Sequence, residues 1–187
     1  MSKQDGAEFA FVSAASAGSA EPSLGPLSRE LKRVEEANEA FFDAYRGLDV
    51  EAMDAVWLPS AHVRCVHPNW ELVVGWTDIR SSWEELFESL EDVELQLEDV
   101  HVEVAGRVAW VNQLVYVTLQ TADGDVVSGT SIATNLFEHW DGRWRLVLHH
   151  ASALVEDDEH DETLEDDDDL ALGAPPPRSR GGSGEPN

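Results

Sequence analysis

Residues 64–83 read RCVHPNWELVVGWTDIRSSW, with a His-Pro step and three tryptophans, Trp70, Trp76 and Trp83, inside twenty residues. The stretch separates two kinds of periodicity. Upstream, apolar residues recur every three or four positions, as on one side of a helix; downstream, after one further helical segment, they recur every second position, as on a strand. Residues 64–83 therefore form the joint between a helical layer and a sheet. Their side chains fall where helices meet the open face of the sheet, which is where a pocket forms.

Upstream of the joint, Leu31, Val34, Ala37, Phe41, Ala44 and Tyr45 make one apolar stripe and predict a helix over 28–47, with Ser28 as its cap. Asp49 is placed to cap a second, shorter helix carrying Ala52, Met53, Val56 and Trp57, which Pro59 ends. Within the joint, 61–67 and 71–74 read as short strands, and Gly75 leads into a third helix from Thr77 with Ile79, Trp83, Leu86, Phe87 and Leu90 on its buried face. Four long strands follow at 91–105, 107–121, 125–140 and 143–153, separated by AlaGlyArg, AlaAspGlyAsp and AspGlyArg turns. Hairpin turns of this kind predict an antiparallel meander. The expected fold class is α+β, with three N-terminal helices packed on one face of a bent antiparallel sheet.

Outside this unit the periodicity disappears. Residues 1–26 are rich in Ala, Ser, Gly and Pro and read as a disordered leader; 156–187 read as an acidic and then Pro/Gly-rich disordered tail, leaving 27–155 as one domain. With 42% hydrophobic residues, that domain can build a core without staples. Cys65, the one cysteine, excludes an internal disulfide and fits a reducing, cytoplasmic setting. The apolar run 9–17 lacks the basic approach of an export signal, and no run is long enough to span a bilayer.

The net charge is -26, from 38 acidic against 12 basic side chains, and the lysines are only Lys3 and Lys32. This balance argues against nucleic acid and anionic membranes as partners, since both need a basic footprint. Residues 156–169 carry 11 of the acids, and setting them aside still leaves 27 against 12. A surface so acidic is that of a halophile's protein or of an ordinary acidic cytosolic one. The acidic run itself is either solvated or binds a basic partner.

The segments AFFDAYRGLDVEAMDAVW, CVHPNWELVVGW and ATNLFEHWDGRWRLVLHHAS resemble the nuclear transport factor 2 (NTF2)-like superfamily, in its SnoaL-like branch, which also contains ketosteroid isomerases. The resemblance covers roughly 27–155. It implies a cone-shaped fold with a deep, largely apolar pocket between helices and sheet, often in a homodimer formed through the outer sheet face. It also implies that Phe41, Cys65, Asn112, Thr134 and His149 face the pocket, and the aromatics Trp70, Trp110 and Tyr116 are read as lining it for a flat apolar ligand. The chain departs from a steroid isomerase: Phe41 stands where such an enzyme has a hydrogen-bonding Tyr, Cys65 or His67 where it has a carboxylate base, and Thr134 where it has an acidic donor. Without those donors an oxyanion would lose roughly several kcal/mol of stabilisation, so that reaction is not expected.

Among the remaining candidates, His67 ends a strand beside a tryptophan-rich lid and suits a general base, with Asn112 and His149 as helpers. A His before Pro is as readily a hydrogen-bonded structural residue. Cys65, His67 and His149 are a conceivable ligand set, but their spacing matches no zinc signature, and no metal or cofactor is assigned. Trp76, Trp83 and Trp110 are pocket or core residues, whereas Trp140 and Trp144 are expected to brace the last hairpin. Two functions follow: a binding domain for a small hydrophobic ligand, or an isomerase-, cyclase- or hydrolase-type enzyme moving a proton on a carbonyl compound through His67.

Overall fold

The computed structural model describes residues 25–154; residues 1–24 of the expected leader and the acidic tail lie outside them, while Gly25 and Pro26 belong to the start of the first helix. Helix α1 (Pro26–Arg46) begins two residues earlier than expected, because Pro26 occupies its first turn, where a missing N–H costs nothing, and Ser28 is not its cap. Leu31, Val34, Asn38, Phe41, Phe42 and Ala44 form its buried side. Helix α2 (Val50–Val56) starts where the Asp49 carboxylate accepts the Ala52 backbone N–H at 2.8 Å. Strands β1 (Arg64–Val66) and β2 (Val73–Val74) follow, then helix α3 (Trp76–Glu88), whose N-cap is Gly75 at φ 86°.

The four long strands are β3 (Leu90–Ala105), β4 (Val108–Thr121), β5 (Val126–Trp140) and β6 (Arg143–Ala153). They form consecutive hairpins, the last one turning at Asp141 and Gly142 with φ 45° and 76°, the left-handed pair that suits a tight hairpin. The sheet order is β2-β1-β6-β5-β4-β3. Its long strands are antiparallel, but β1 lies parallel to β6, pairing Cys65 with His149 and Val66 with His150. No tight turn joins these two strands, so none dictates their relative direction.

The core lies between the three helices and the inner face of the sheet. Trp83 of α3 is fully buried, with ring centroids 5.6 Å from Phe41, 5.1 Å from Tyr45, 4.4 Å from His67 and 5.4 Å from Phe87. On β4 the buried set is Ala109, Val111, Gln113 and Val115; on β5 it is Ser131, Ala133, Asn135 and Phe137. The intervening residues face the other side. Trp144 is buried and donates its indole N–H to Glu30 at 2.9 Å, so it braces the hairpin against α1, whereas Trp140 is 55% exposed.

Candidate functional site

A cavity opens between the helices and the inner sheet face. Its wall is mainly apolar, formed by Phe42, Trp70, Trp83, Leu95, Val115 and Ala151 among others, with polar atoms from Tyr45, His67, Ser131 and His149; no Asp, Glu, Lys or Arg lines it. The inner recess is ≈ 60 Å³ and is open at its mouth, within an envelope of ≈ 680 Å³. The recess alone has room for several waters, each needing roughly 10–15 Å³. A cavity of about 150 Å³ is what holds a benzene ring, so a ring-sized molecule would occupy the mouth as well as the recess.

The HPNW turn places His67 and Trp70. Pro68 fixes the first central residue, Asn69 takes φ 62°, and the Trp70 N–H returns to the His67 carbonyl at 3.0 Å, the pattern of a type II turn. The turn folds Trp70 back over His67, with ring centroids 4.8 Å apart. On its other side His67 meets Trp83 edge-on. Ser82 uses its own hydroxyl hydrogen on the Ile79 carbonyl at 2.7 Å, so at 3.0 Å it accepts from His67 Nε2–H. Burial among indoles disfavours the charged imidazole and lowers the pKa of His67 to about 4.

His149 enters from β6, alongside Cys65 on the parallel strand. Its Nδ1 lies 2.7 Å from Asn135 Oδ1. Burial, and secondarily the neighbouring His67 and His150, lower its pKa to about 3. Both histidines are therefore neutral at neutral pH. Burial also pushes the Cys65 thiol and the Tyr45 phenol up, so neither ionises there. A protonated thiol is a poor metal ligand, and among the described residues no group of three or more His, Cys, Asp or Glu is placed to hold a metal ion.

The structure brings together His67, Trp70 and His149 at the cavity. Phe41 and Cys65 are fully buried behind the wall. Trp110, Asn112, Tyr116 and Thr134 require correction: they lie on the opposite face of the sheet, where Asn112 donates to Thr134 at 2.8 Å and Tyr116 is exposed. A one-residue error of register moves every side chain of a strand to the other face, and that is the error here. Asn112 cannot help His67. The inward polar residues are instead Gln113 and Asn135, one position away, together with Asn38, Tyr45, Ser82 and Ser131. The signal for them was a polar residue inside an apolar row: Asn38 between Val34 and Phe42 on the helix, and Asn135 between Ala133 and Phe137 on the strand.

Three helices on one face of a six-stranded, cone-like sheet, with a cavity between, define an NTF2-like fold. The SnoaL-like domain model matches residues 34–156, and the chain belongs to that family. Among solved structures, a candidate dehydratase of the NTF2-like family from Streptomyces avermitilis superposes with TM-score 0.65 at 28% identity, covering 70% of this chain and 99% of the other. A candidate calcium/calmodulin-dependent protein kinase type II association domain from Thiobacillus denitrificans does so with TM-score 0.56 at 30% identity, covering 65% and 94%. The F-box protein SKIP8 of Arabidopsis thaliana is 31% identical over 122 residues, 65% of this chain and 50% of that protein. The chain thus spans about half the length of this curated relative.

Proposed function

We propose that this domain binds a small, largely apolar molecule in the cavity between α1, α3 and the sheet. The observation that carries the reading is the wall itself: apolar side chains around a few convergent polar atoms, with no charged residue among them. Native mass spectrometry of the freshly purified full chain tests it. A retained organic molecule is expected, and it should be lost in Ala151→Leu, which fills the cavity from β6. Retention unchanged by that substitution would place the molecule elsewhere.

A second reading is an enzyme that moves a proton on a carbonyl compound with His67 as base. The likeness to a candidate dehydratase favours it. One feature weighs against His67 in that role: a group with a pKa of about 4 is a weak base at neutral pH.

We also infer a homodimer formed through the outer sheet face, supported by the exposed Val108, Tyr116 and Ile132 there. A cytoplasmic location is part of the same reading, supported by the single buried cysteine; among the described residues no helix is long and apolar enough to cross a membrane. The acidic balance supports a protein adapted to high salt.

A further inference from the structure

A ladder of four buried polar side chains crosses the core and ends at the cavity. Gln113 on β4 and Asn38 on α1 form a reciprocal amide pair, at 2.9 Å from Asn38 Nδ2 to Gln113 Oε1 and 3.4 Å from Gln113 Nε2 to Asn38 Oδ1. Asn135 on β5 donates its Nδ2 to the same Asn38 Oδ1 at 2.8 Å. That leaves Asn135 Oδ1, which can only accept, facing His149 Nδ1 at 2.7 Å. The ladder therefore has a direction. It holds the proton of neutral His149 on Nδ1 and leaves Nε2 with a bare lone pair.

Among the described residues Nε2 has no hydrogen-bond partner, and it is not one of their fully enclosed unpaired polar side-chain atoms, which are the indole nitrogens of Trp57 and Trp83. His149 is part of the cavity wall, and with Nδ1 turned to Asn135 the opposite ring edge, carrying Nε2, is the one left to face the cavity. The Tyr45 and Ser131 hydroxyls at the same wall can turn to donate or accept. Nε2 can only accept.

We propose that the cavity selects an uncharged, ring-sized molecule carrying a hydroxyl group, which donates its hydrogen to His149 Nε2. This rests on the reading of the cavity as a binding site. An ether or ketone oxygen at that position sets lone pair against lone pair. An ionised ligand meets no counter-charge on the wall and loses its hydration. Asn135 is the positioning residue: it touches no ligand and acts through the tautomer it imposes.

The test is an NMR titration of the full chain with three probes of similar shape, phenol, fluorobenzene and benzoate, reading the ring nitrogens of His149 and the indole N–H of Trp83. The free protein should show a protonated Nδ1 and a bare Nε2 on His149. Phenol should bind at least ~10-fold more tightly than fluorobenzene, the discrimination expected of one buried hydrogen bond, and benzoate should give no saturable shift. In Asn135→Leu, if folded, the preference for phenol should collapse. Equal affinity for phenol and fluorobenzene overturns the hydroxyl selection while leaving the cavity as a binding site. A proton on Nε2 overturns the direction of the ladder. Failure of both neutral probes to bind overturns the reading of the cavity itself.

Discussion

Acidification from about pH 7.5 to about pH 5.5 should destabilise this fold through His67 and His149, each nearly inaccessible to water. Folding lowers their pKa values to about 4 and about 3, while in the unfolded chain both titrate near the ordinary value of about 6.5. Over this window the unfolded state takes up protons and the native state does not, so stability is full above the unfolded value and falls as pH drops towards the folded ones. At about pH 5.5 an unfolded histidine is some ten parts protonated to one part neutral, a gain of about 1.4 kcal/mol for the unfolded state. Two such groups give about 2.7 kcal/mol across the window, or a fall in Tm of roughly 8–12 °C for a domain of this size. Urea midpoints at a series of pH values and constant salt measure the effect. His67→Leu should remove about half of the pH dependence without stranding a donor, since the Ser82 hydroxyl hydrogen already bonds to Ile79. A slope unchanged by that substitution, or stability flat over the window, would refute the argument that both rings are neutral and buried.

Trp83→Ala should cost about 3–5 kcal/mol in urea unfolding, the range for deleting a fully buried aromatic. Asn38→Leu should cost about 2–4 kcal/mol, because it strands the Gln113 and Asn135 amides, while Asn112→Leu on the outer face should cost under about 1 kcal/mol; the reverse order would mean that the faces of β4 are misassigned. Raising potassium chloride towards molar concentrations should raise Tm steadily if mutual repulsion among the carboxylates limits stability, and a flat or falling curve removes the high-salt reading. Ile132→Lys combined with Tyr116→Lys should give monomers in sedimentation velocity, and an unchanged sedimentation coefficient would place any interface elsewhere.

The sheet was legible because its information is local: strict alternation over long segments, with turn residues between them, fixes strands and hairpins without reference to the rest of the chain. Which face of β4 and β5 turns inward is not local. Trp110, Asn112 and Tyr116 alternate with Val111, Gln113 and Val115, and each row contains apolar residues and one amide. The family resemblance pointed Asn112 inward, and Trp110 and Tyr116 suited a flat ligand, so both favoured that row as the inner one. The fold chose the other, because α1, the end of α2 and α3 bring Phe41, Phe42, Trp57 and Trp83 against the inner face, and bulk supplied by the helices leaves room on β4 and β5 mainly for smaller side chains such as Ala109, Val111, Val115, Ser131 and Ala133. The amides then decide the matter energetically. Gln113 and Asn135 can be buried because Asn38 reaches them from the helix, whereas Asn112 needs only its neighbour Thr134 and can stay half in water. A polar residue interrupting the apolar stripe of α1 and another doing so on β5 are separately unremarkable in sequence. Only their meeting makes a ladder, and the ladder is what turns His149 from a core histidine into a directed acceptor at the cavity wall.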